Sequence, residues 1–110
     1  MMTVKETLNM LAQKMNDHSE GIKGVNTAYQ FDLSGEEQGT FQVIIKDEQV
    51  QVFDEVKREP NCTLQLSDQN LLKLIAGNLN PTVAYMSGKL KIKGELGLAL
   101  KLQSILKKYE

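Results

Sequence analysis

One cysteine, one histidine and no tryptophan stand in this sequence, and those shortages remove several classes of function together. A single cysteine, Cys62, cannot close an intrachain disulfide and fits a reducing compartment. A zinc site needs three or four Cys or His ligands, more than Cys62 and His18 supply. A Ser-His-acid triad would have to use His18, which sits in the polar turn "NDHSE", and no serine has a nucleophile elbow around it. "GKLKIKG" is not a phosphate-binding loop, because it lacks the upstream glycine and the Ser/Thr after lysine. Positive charge is not in excess either. Thirteen Lys plus Arg against fourteen Asp plus Glu give a formal charge of −1, which excludes the electrostatic footprint of a nucleic-acid binder. No apolar run approaches the ~18 residues of a membrane span. No basic segment followed by an apolar one opens the chain, and "KKYE" is not a peroxisomal address. The expectation is a cytoplasmic protein without metal, cofactor or catalytic centre.

What is present is aliphatic. Hydrophobic residues make up 41% of the chain while aromatics reach only 5%, and five methionines are included. A core of Leu, Ile, Val and Met is expected, and thioether side chains fill irregular spaces readily. One hundred and ten residues suit one domain spanning 1–110, long enough to bury a substantial core.

The hydrophobic period changes along the chain in a readable order. "TVKE" has the pattern of a capping box, and Val4, Leu8, Leu11, Ala12 and Met15 follow at helical spacing to about Asp17. From Val25 the period is two, with Val25, Thr27, Tyr29, Phe31 and Leu33 on one face. "SGEEQG" turns the chain into Phe41, Val43 and Ile45, and "KDEQ" turns it again into Val50 and Val52. Three strands joined by short turns predict an antiparallel meander. After the charged loop "EVKREPN", Cys62, Leu64 and Leu66 form a fourth strand, which makes Cys62 a buried, inert thiol. Ser67 caps a helix carrying Leu71, Leu72, Ile75 and Ala76, and Gly77 ends it. Asn80 and Pro81 open a second short helix. "KLKIKG" returns to period two with Leu90 and Ile92 inward and three lysines outward. The last helix runs from Leu96, its stripe formed by Leu98, Leu102, Ile105, Leu106 and Tyr109. The class is α+β, in the order helix, four strands, two helices, strand, helix.

The final helix has more apolar surface than one buried stripe requires. Leu96 and Leu100 lie off the main stripe, so its first turns are apolar nearly all round. Such a surplus means deeper burial, a partner surface or the wall of a cavity. Pattern alone leaves these alternatives open.

The run "CTLQLSDQNLLKLIAGNLNPTVAYMSGKLKIKGELGLALKLQSIL", Cys62 to Leu106, resembles the sterol carrier protein-2 family. A strand leading into an "SD" helix start, an "NP" helix opening, "GKLKI" followed by glycine, and "KLQ" occur in order and at matching spacing. The first 60 residues match only in outline, through "GTFQVIIKDEQV". Ser87 stands where the family commonly has glutamine, and Phe41 where it often has tryptophan. The resemblance implies a five-stranded, mostly antiparallel sheet covered by helices, with a hydrophobic tunnel between them. It implies non-catalytic binding and transfer or presentation of a fatty acid, fatty acyl-CoA or sterol-like lipid. On that reading Phe41, Leu72, Ile75, Met86, Leu90, Leu98, Leu102, Ile105 and Leu106 are wall residues. Gln103 is a polar group at one end of the tunnel.

Two other readings stay open. The apolar surface could dock on a protein partner or on a second copy, with the cavity collapsed. Alternatively, the chain could serve as an accessory, acyl-presenting subunit of an enzyme. On any of these readings Lys89, Lys91 and Lys93 form a solvated sheet face or protected edge, or meet an anionic head group or membrane surface during transient contact.

Overall fold

The computed structural model describes residues 2–110. Helix α1 spans Val4–Asp17, followed by a short 3₁₀ turn at Ser19–Ile22. Strands β1 (Thr27–Ser34), β2 (Gly39–Lys46), β3 (Gln49–Phe53) and β4 (Cys62–Ser67) come next. Helices α2 (Asp68–Ile75) and α3 (Pro81–Met86), strand β5 (Lys91–Gly94) and helix α4 (Leu96–Lys107) complete the order. The sheet has five strands in the order β3-β2-β1-β4-β5. The expected meander is present, since β1–β2 and β2–β3 pair antiparallel. Strand β4 joins β1 in parallel, and β5 joins β4 antiparallel.

Local chemistry places the helix ends. The Thr3 hydroxyl accepts from the Glu6 amide at 3.1 Å, and the Glu6 carboxylate accepts from the Thr3 amide at 3.0 Å, closing the capping box. That reciprocal hydrogen bonding holds the Glu6 carboxyl below its ordinary range. Ser67 caps α2 through the Asn70 amide at 3.0 Å. Asn80 caps α3 through the Thr82 and Val83 amides, ahead of Pro81 at the first helical position. The Gly77 amide donates to Leu74 O just past α2, at a φ of +83° that suits glycine. The β2–β3 turn is a two-residue hairpin in which Asp47 and Glu48 both take positive φ, 53° and 61°, as a type I′ turn requires.

The register puts two apolar rows across the sheet. Cys62, Tyr29, Val43 and Val52 are neighbours in pairing, and so are Ile92, Leu64, Phe31 and Phe41. These side chains meet Val4, Leu8, Ala12 and Met15 of α1, Leu71 and Leu74 of α2, and Ala99, Leu102, Ile105 and Leu106 of α4 in one core. The start of β1 differs from expectation. Val25 is buried but lies before the strand, because the 3₁₀ turn closes with a Val25 amide to Ile22 O bond and Gly24 then turns at a φ of +79°.

The outer face of the sheet is polar, and one of its residues is wholly buried. Gln42 has 0% exposure although its period-two position points away from the core. Its amide nitrogen donates to Gln30 Oε1 and Arg58 O, and its amide oxygen accepts from the Lys57 and Arg58 N–H groups. The charged β3–β4 loop therefore folds back over the outer face and is latched there by a glutamine. At the far end of that loop, Asn61 Oδ1 accepts from the Ala28 amide at 2.8 Å. A Cβ on Gly94 would lie 2.6 Å from Asn61 O, so this crossing point needs glycine.

Candidate functional site

Helix α4 is held at its start by a residue from the opposite side of the sequence. The Tyr29 hydroxyl, at the end of a fully buried side chain on β1, donates to Leu98 O at 2.7 Å. Burial pushes the Tyr29 phenol well above the usual tyrosine range, and the neighbouring Cys62 thiol adds to it. Burial also raises the Cys62 thiol, with the Glu95 carboxylate contributing. A thiol kept protonated and 1% exposed is no nucleophile. The other end of α4 leads to Tyr109, whose carbonyl accepts from Lys14 Nζ of α1 at 2.7 Å. Its hydroxyl donates to His18 O.

Anchored in this way, α4 turns a distinct face toward α3. Leu96, Ala99, Leu100, Gln103, Leu106 and Lys107 recur every three or four residues and so share one side of the helix. Two separate cavities follow one another along that side. The first is an apolar cleft of about 110 Å³ between α3, β5 and α4, lined by Pro81, Thr82, Tyr85, Ile92, Leu96, Ala99 and Leu100. The second, about 390 Å³, is polar at its rim, where Asn78, Asn80, Gln103, Lys107 and Glu110 surround Leu74, Leu79 and Leu106. Leu79 and Asn80 of the second cavity are followed directly in sequence by Pro81 and Thr82 of the first.

The apolar cleft runs out onto an exposed hydrophobic surface. Tyr85, Leu96 and Leu100 are 46–50% exposed, and Val83 and Met86 beside them on α3 reach 62% and 81%. Isolated surface leucines are ordinary, whereas a group on adjoining helices that leads into a cleft marks a binding surface. A cleft of that volume has room for about four water-sized groups.

The ten residues singled out from the sequence divide by depth. Leu90, Leu102, Ile105 and Leu106 are buried in the core, none more than 5% exposed. Phe41, Leu72, Ile75 and Leu98 are half-buried and pack against it. Gln103 and Leu106 line the polar cavity. Met86 stands exposed at the end of α3. None of the ten lines the apolar cleft. That cleft uses Leu96 and Leu100, whose off-stripe positions were its signal in the sequence, together with Tyr85, Ile92 and Ala99. The tunnel that the resemblance implies is not directly shown; what lies between α3, β5 and α4 is this open cleft. Among the described residues no cluster of three or more His, Cys, Asp or Glu could hold a metal ion, and no helix is long and apolar enough to cross a membrane.

Comparison with known proteins agrees with this architecture. Residues 8–107 match the model of the SCP-2 sterol transfer family. Hydroxysteroid dehydrogenase-like protein 2 of Xenopus laevis is 38% identical over 104 residues, covering 94% of this chain and 24% of that protein. Sterol carrier protein 2 of Rattus norvegicus is 34% identical over 101 residues, 92% of this chain and 18% of that protein. The chain thus spans a quarter or less of the length of these curated relatives. Among solved structures, the sterol carrier protein domain 2 of Helicoverpa armigera superimposes with a TM-score of 0.77 at 31% identity, covering 93% of this chain and 84% of that one. With the family model matched over nearly the whole chain and the five-stranded fold shared, this protein belongs to the SCP-2 sterol transfer family.

Proposed function

We propose that this protein binds a lipid through the cleft between α3, β5 and α4, and transfers or presents it without chemical change. The observation that carries the reading is the apolar cleft continuous with exposed Tyr85, Leu96 and Leu100. Each methylene withdrawn from water contributes about 0.8 kcal/mol, so an alkyl chain supplies most of its own binding energy without many polar contacts. Selectivity follows from cleft length and from polar groups beyond it, where Gln103 lines the neighbouring polar cavity. Fatty acids and fatty acyl-CoA suit a narrow cleft better than a rigid sterol ring system. The buried side chains of the sequence-derived set, Leu102 and Ile105 among them, form the floor that holds α4 in place. The reading also places the protein in the cytoplasm, with transient membrane contact during loading.

The test is uptake of a fluorescent fatty acid by the whole chain and by Leu100→Asp. Leu100 is 47% exposed, so the variant should fold normally. It should lose at least tenfold in affinity, because a carboxylate in an apolar cleft costs more than about 1.4 kcal/mol. Equal uptake by a folded variant would remove the cleft from the mechanism.

Presentation to an enzyme is a second form of the same activity. It is favoured by the match to only 24% of a protein named as dehydrogenase-like. Extraction of native protein distinguishes these from a docking module, in which Val83, Tyr85 and Met86 would contact another protein or a second copy. A docking module would carry no lipid.

A further inference from the structure

The two cavities along α4 differ in chemistry, and that difference gives the groove a direction. At the β5 end the lining is Ile92, Leu96, Ala99 and Leu100, with Tyr85 opposite. At the other end Gln103, Lys107, Asn78 and Asn80 bring amide groups and one cation to the rim. Asn80 Oδ1 is already used to cap α3, accepting from Thr82 and Val83, which leaves its NH₂ free to donate. From Leu96 to Lys107 the helix rises about 17 Å, of the same order as an extended fatty acyl chain.

We propose that this groove binds a single-chain amphiphile in one orientation, with its tail toward Leu96 and Ile92 and an anionic head, carboxylate or phosphate, beside Lys107 and Gln103. The inference rests on the lipid-binding reading above and adds to it a direction and the residues that meet the head. The reversed orientation would strip water from the charged head among aliphatic side chains. The proposed one leaves the head hydrated and meets it with an ammonium and amide donors, and hydrogen bonds to an ionised group are the stronger kind. Glu110 also lines the polar end. Its carboxylate lies over Gly77, close enough to clash with a Cβ there, and it opposes an anionic head. Lys107 and Glu110 therefore act with opposite sign on the same ligand.

The experiment titrates the whole chain with dodecanoate, dodecyl phosphate and 1-dodecanol, below their aggregation limits, for wild type, Lys107→Glu, Glu110→Gln and Leu100→Asp. The two anions are expected to bind about fivefold tighter than the alcohol, the range of a solvent-accessible charge contact. Lys107→Glu should remove that advantage and leave dodecanol within twofold. Glu110→Gln should strengthen anion binding about twofold. The tighter of the two anions identifies the head group. A tail-end diazirine on the fatty acid should label the tryptic peptide Gly94–Lys101 and spare Leu102–Lys107. Loss of all binding in Leu100→Asp with no effect of Lys107→Glu would overturn the orientation and leave lipid binding standing. Tail labelling of Leu102–Lys107 would overturn it as well. Failure of wild type to bind any of the three would sink both readings.

Discussion

The helical layer buries its apolar side chains deeply at one end and shallowly at the other. Over β3, α1 holds Val4, Leu8, Ala12 and Met15 at 8% exposure or less. Over β5, α3 and α4 leave Val83, Tyr85, Met86, Leu96 and Leu100 between 46% and 81% exposed. Both regions are amphipathic helix on sheet and use the same residue types. The difference lies in helix length and closure. Helix α1 has fourteen residues, packs on the sheet along its length and is tied to edge strand β3 by a reciprocal Asn16–Val50 pair. Helix α3 has six residues and packs on α4, and it cannot cover the far side of the α4 stripe. The closed end supplies stability and the open end supplies a surface.

Four substitutions should break or sharpen that contrast. Leu8→Ala, at the closed end, should cost about 2–5 kcal/mol in urea unfolding, with no direct effect on a ligand in the α3–α4 cleft. Gln42→Ala should cost about 1–3 kcal/mol, because it leaves the Lys57 and Arg58 amides and the Arg58 carbonyl unpartnered. Hydrogen exchange at Lys57 and Arg58 should rise while the core stays protected. Tyr29→Phe removes the bond to Leu98 O and should cost about 1 kcal/mol, loosening α4 beside the cleft.

Tyr29 also gives the contrast a pH signature. Its folded-state pKa is raised above the ordinary value near 10, so the unfolded chain releases the proton first. The stabilisation is complete below about pH 10 and is lost as pH rises above it. Thermal unfolding of wild type should therefore weaken above pH 10, and Tyr29→Phe should show a flatter alkaline limb. The smallest stability effect belongs to the open end. Leu100→Ala should change unfolding by no more than about 0.5 kcal/mol, while lowering fatty-acid affinity several-fold. If it destabilised as much as Leu8→Ala, the two ends would not differ in kind.

Much of this architecture can be read along the chain. Thr3 with Glu6, Ser67 before α2, and Asn80 with Pro81 mark their helix starts, since a cap acts within one turn. Alternation from Tyr29 to Leu33 and from Phe41 to Ile45 marks strands, since the pleat has a period of two. The candidate site was less accessible. Leu98, Leu102, Ile105 and Leu106 have the regularity that attracts notice, and that regularity belongs to the face of α4 that meets the sheet. Leu96 and Leu100 break the stripe, and it is they that line the cleft. Gln42 looks like a solvated strand residue until the loop after β3 closes over it.

Sequence alone determined the elements, their caps and turns, the aliphatic character of the core, and the family likeness of Cys62 to Leu106. Each of these depends on residues a few positions apart, or on the order of short motifs along the chain. The tertiary structure alone decided that β4 lies parallel to β1, that Gln42 latches the outer loop, and that α3 is too short to cover α4. Only there do Leu96 and Lys107 come to line two cavities that follow one side of α4. Those outcomes depend on which elements come to rest against one another, and no local spacing carries that information.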